Sequence, residues 1–85
     1  MHDDLQTLAN SNQRTYLLPV AGHHYADQGL IDGDIAVVDR ALQARPSDLI
    51  IAWRPTGSTI LKQHQLTSED QPWGVITGLI RHLRP

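Results

Sequence analysis

The chain has 85 residues, 40% hydrophobic and 19% charged, a composition that fits one small globular domain rather than a disordered chain. Nine acidic against seven basic residues give a net charge of −2, and the basic ones are scattered, which argues against direct nucleic-acid binding. The absence of cysteine removes disulfides, thiolate metal sites and a cysteine nucleophile, and no apolar run approaches the roughly 20 residues of a membrane span.

Residues 1–14 are polar, with Leu5, Leu8 and Ala9 as the apolar positions after the initial Met, and they read as an N-terminal arm, either a short helical turn or a mobile segment. Their start, MHDDLQ, lacks the basic and apolar regions of a signal peptide, so the expected location is cytoplasmic. TYLLPV (15–20) has strand composition, and Pro19, which donates no backbone hydrogen bond, places it at an edge or a bulge. HHYADQ (23–28) fits one helical turn, and GLIDGD (29–34) supplies a turn with Gly33 at positive φ and Asp34 bonded to the backbone.

IAVVDR (35–40) and LIIAW (49–53) are nearly continuous apolar runs, the pattern of buried strands. RPTGS (54–58) is a hairpin connection with Gly57 as its positive-φ residue, and TILKQ (59–63) is the return strand, with Ile60 and Lys62 on one face. A polar loop, HQLTSEDQP, leads to a last strand in WGVITGLIRHL (73–83). Residues 15–85 are thus expected to form one mainly β domain of five or so short strands with little helix.

The order of these pieces resembles the carboxy-terminal domain of the LexA/UmuD family of self-cleaving serine peptidases. The resemblance rests on Gly22, on GLIDGD (29–34), on Val38-Asp39-Arg40, on DLIIA (48–52), on Ile60-Leu61-Lys62 and on WGVI (73–76), which fall in the family's order over most of the chain. It implies a small LexA/UmuD-like β fold of short, strongly bent strands with little helix. In that family a serine is activated by a lysine that apolar surroundings keep neutral. The lysine position is occupied by Lys62, but the serine position holds His24, followed by Tyr25.

An imidazole carries no hydroxyl, so the resemblance implies a degenerate site: His24 at the nucleophile position, Lys62 at the base position, and Gly22, His23, Tyr25, Gly29, Gly33 and Asp34 forming the cleft and its turns. Ser58 and Thr59 stand off the motif position. The family's Ala-Gly or Cys-Gly cleavage bond lies some thirty-five residues before the serine position, and the 23 residues before His24 are too few to carry it there: their one such dipeptide, Ala21-Gly22, adjoins the turn itself; ten residues separate Lys62 from Trp73 where the family has some twenty more. The expectation is a non-catalytic interaction domain without cofactor, resembling processed UmuD. It would form a homodimer and serve a translesion polymerase in the SOS response to DNA damage. The alternatives are a residual Lys62-dependent hydrolase and a decoy that pairs with a LexA-like or phage repressor.

Other readings of the same residues are plainer. His23 and His24 are adjacent and point in different directions, whereas zinc needs three or four convergent ligands, so no metal is expected. Lys62 has two open readings, a lysine buried in a relic cleft or an exposed lysine guarding an edge strand. The aspartates of LIDGDIAVVDR lack calcium-loop spacing and fit turn and strand-end roles, and Trp53 and Trp73 fit the core, with a binding hot spot as the lesser alternative.

Overall fold

A computed structural model of the chain describes residues 14–83, so the arm expected over residues 1–14 lies, except for Arg14, outside the described residues. The apolar runs become strands. TYLLP forms β1 (Thr15–Pro19) and pairs antiparallel with β2 (Ile35–Asp39). LIIAW, extended by Arg54, forms β3 (Leu49–Arg54), which turns through two residues into β4 (Gly57–Lys62), with Arg54 opposite Gly57. Gly57 takes φ 128°, a value that strains any residue with a side chain.

The last strand, β5 (Gln71–Ile80), inserts between the two pairs and gives one antiparallel sheet in the order β1-β2-β5-β3-β4. The protein is therefore mainly β. Helix is confined, among the described residues, to two 3-10 turns, Ala26–Gln28 where a helical turn was expected and Gln63–Gln65 inside the expected polar loop. None is long and apolar enough to cross a membrane.

Strand β5 starts two residues before the expected Trp73 and takes in Pro72. Proline is tolerated there because the β3–β5 register shifts between Ile51 and Ala52, a bulge that releases the ladder around Trp73. A second shift lies between Val37 and Val38 on the β2–β5 side. At the crossing of β5 over β2, Gly74 leaves no room for a side chain: a Cβ there would stand 2.5 Å from Val38 Cγ1.

Both faces of the sheet carry buried residues. On one, Ala36, Val38 and Ile51 pack with Val20 and Leu30, which belong to the connection from β1 to β2 that crosses this face. On the other, Ile50, Ala52, Leu61 and Val75 are buried, with Leu42 and Ala44 of the β2–β3 connection bordering Ile50 and Val75. This second cover does not extend to Leu17 on β1 and Ile80 on β5, which remain 43% and 45% exposed.

Candidate functional site

The connection from β1 to β2 is built around two aspartates and three glycines. The Asp32 carboxylate accepts the Gly22 N–H at 2.7 Å, while the Gly33 N–H donates back to the Val20 carbonyl at 3.0 Å, so the segment closes on itself. Gly22, Gly29 and Gly33 have φ of 79°, 88° and 93°. At Gly29 the left-handed conformation ends the 3-10 turn, its N–H donating to Ala26 at 3.0 Å.

Asp34 anchors the segment to the far end of the chain. Only 1% exposed, it accepts the Ile31 N–H at 2.9 Å and two bonds from the Arg81 guanidinium, Nε at 2.8 Å and Nη2 at 2.7 Å. Arg81 Nη2 also donates to the Gly29 carbonyl at 2.8 Å. The Arg81 bonds, then the Ile31 N–H, hold the Asp34 carboxyl down at about 2 despite burial, so it stays ionised. Asp39 ends β2 as a turn residue, accepting the Ala41 and Leu42 N–H groups and pairing with Arg14 at 2.8 Å.

A matching clasp holds the opposite side. Asp70, 8% exposed, accepts bonds from Arg54, at the end of β3, and from the Thr67 N–H and hydroxyl at 2.9 and 3.1 Å. The Arg54 bond, then that from the Thr67 N–H, keeps the Asp70 carboxyl at about 2. Sequence reading missed Arg54, Asp70 and Arg81. Their pairing across 16 and 47 residues depends on strand order, which no local signal carries.

Between the crossing segment and the β3–β4 hairpin lies a groove of about 500 Å³. Leu18, Ala21, His24 and Tyr25 border one side, Trp53, Ser58 and Ile60 the other, and Ala36, Ile51 and Trp73 also line it. In a flat sheet Leu18 and Ile60, on opposite edge strands, would stand about 19 Å apart at ~4.8 Å per strand. Their sharing one groove requires the sheet to curl, and the two bulges supply the bend. No aspartate, glutamate, lysine or arginine is among its lining residues.

Of the residues expected at a degenerate site, His24 and Tyr25 line the groove together, their rings 6.4 Å apart. His23 is exposed beside them, and Gly22 underlies the His24 ring, where a Cβ would meet His24 Cδ2 at 3.4 Å. Gly29, Gly33 and Asp34 shape and anchor the segment outside the groove. Lys62 shares a face with Ser58 and Ile60 but stands one step beyond Ile60, opposite Leu49, exposed and absent from the groove lining. Its side chain makes no ion pair with the described residues.

The tryptophans depart from the core expectation in different degrees. Trp73 is half-buried, tilted against Tyr16 with centroids 5.3 Å apart and covered by the Arg40 guanidinium at 4.3 Å. Trp53 is 51% exposed at the rim of the groove, because it lies at the hairpin end of β3, beyond the cover of the crossing segment. No group of three or more histidine, aspartate or glutamate residues among those described converges as a metal site. Neither a protein-family model nor a curated protein matches this chain.

Proposed function

We propose that the chain is a non-catalytic interaction domain of the LexA/UmuD type, whose groove receives an uncharged apolar stretch of a protein partner. The observation that carries this reading is the composition of the groove: His24 lines it where a nucleophile would be needed, Lys62 does not line it, and every other lining residue is uncharged. A Ser-Lys mechanism needs a hydroxyl within hydrogen-bond reach of a neutral amine. An exposed lysine outside an apolar groove does not meet that need, whereas a groove rimmed by an exposed tryptophan suits side-chain docking.

The resemblance supplies the partner class: a translesion DNA polymerase, for a cytoplasmic accessory of the damage response, with a LexA-like repressor as the competing partner. The test is binding of purified translesion polymerase and purified LexA-like repressor, read by isothermal titration calorimetry. Polymerase binding that weakens at least tenfold in Ile60→Glu, with the fold intact by circular dichroism, supports the proposal. Binding of the repressor alone makes the domain a decoy, and binding of either protein unaffected by Ile60→Glu overturns the groove as the docking site.

A further inference from the structure

The two edges of the sheet differ. On β4 the edge is guarded, since it carries Lys62, whose N–H is already taken by the Gln65 side chain at 2.9 Å. On β1 the edge has no neighbour among the described residues, and its exposed centre is the apolar Leu17. The ladder to β2 determines which main-chain groups point outward. Arg14 C=O accepts from Arg40 N–H, and Val20 N–H donates to Asp34 C=O, so the even-numbered residues face β2. Thr15, Leu17 and Pro19 therefore face outward, and Pro19, which has no N–H, sits where a missing donor breaks no bond within the sheet.

This pattern is complementary to itself. We propose that two copies of the chain join antiparallel, β1 to β1, about a two-fold axis at Leu17. Leu17 N–H then donates to the partner's Leu17 C=O and the reverse bond forms, while Thr15 N–H donates to the partner's Pro19 C=O, again reciprocally. A two-fold contact sets each residue against its own patch, so an uncharged strand meets no like charge at the axis. The missing proline donor falls at the ends of the pairing. There it leaves only the Thr15 carbonyls without a strand partner, in reach of solvent. The inference rests on reading the chain as an interaction domain and assigns the homodimer a specific edge.

The chain has no native cysteine, which makes the geometry directly testable. Directly opposed residues in a hydrogen-bonded antiparallel pair have Cα atoms about 5.5 Å apart, inside the ~4.4–6.8 Å that a disulfide spans. The expected results are a solution mass of twice the 9.5 kDa chain by sedimentation, and rapid oxidative cross-linking of Leu17→Cys but not of Ser58→Cys on the other edge. Leu17→Pro, which removes the central donor, and Leu17→Lys, which charges the axis, should both give folded monomers. A wild-type monomer up to near-millimolar concentration, or a dimer in which Ser58→Cys cross-links as readily as Leu17→Cys, overturns the pairing. A monomer would leave the non-catalytic reading standing, and hydrolytic activity would overturn that reading without changing the mass.

Discussion

The turn at residues 29–34 and the groove wall at residues 22–25 belong to one connection, yet they are built in opposite ways. In the turn, Asp34 is buried and bound by Arg81 and the Ile31 N–H, and the Gly33 N–H is bonded to Val20. At the wall, His23 and His24 are exposed, and Lys62, expected as the chemical partner of His24, is exposed outside the groove. The stretch thus divides into residues that hold the fold and residues at the positions where the resemblance would put chemistry. The first kind is fully engaged; the second does not converge.

That division ranks the effects of substitution. Leu30→Ala removes the 1% exposed side chain that ties the crossing segment to the sheet and should cost about 2–5 kcal/mol by chemical denaturation. Gly74→Ala drives a methyl against Val38 and should cost about 1–3 kcal/mol, relieved in part by the double variant with Val38→Ala. At the groove wall, His24→Ala and Lys62→Ala should each change stability by no more than about 0.5 kcal/mol, as surface substitutions do. A loss at either comparable to that of Leu30→Ala would erase the contrast.

Acid sharpens the same comparison. Asp34 and Asp70 have folded values near 2 against an ordinary 3.8, so the folded state binds their protons more weakly than the unfolded chain does. Their contribution is fully present above about pH 4 and is lost as pH falls toward 2. Thermal midpoints measured from pH 5 to pH 2 should fall through that window, and Asp34→Asn should be less stable at pH 5 with a shallower fall. An unchanged slope in Asp34→Asn would mean that the Arg81 clasp contributes nothing.

Much of the framework was legible in the residues. The runs IAVVD and LIIAW announced strands covered on both faces, and Gly33 and Gly57 marked positive-φ turns through their neighbours alone. Pro72 hid the start of β5, since proline ordinarily argues against a central strand and only the bulge admits it. Trp53 was misread because composition does not reveal where the cover over a face ends. The clasp from Arg81 to Asp34 was invisible for another reason: it exists only because β5 lies beside β2. Spacing also left Lys62 open between a cleft and an edge, and the register places it at the edge.

On the proposed reading the groove binds without cutting. Its most direct test is incubation of the full chain with an Ala-Gly peptide and, separately, a fluorophosphonate probe, for the wild type, His24→Ser and Lys62→Ala. The account predicts no cleavage and no labelling in any of them, including His24→Ser, because Lys62 does not reach into the groove with residue 24. Cleavage or labelling by the wild type that disappears in Lys62→Ala would contradict it.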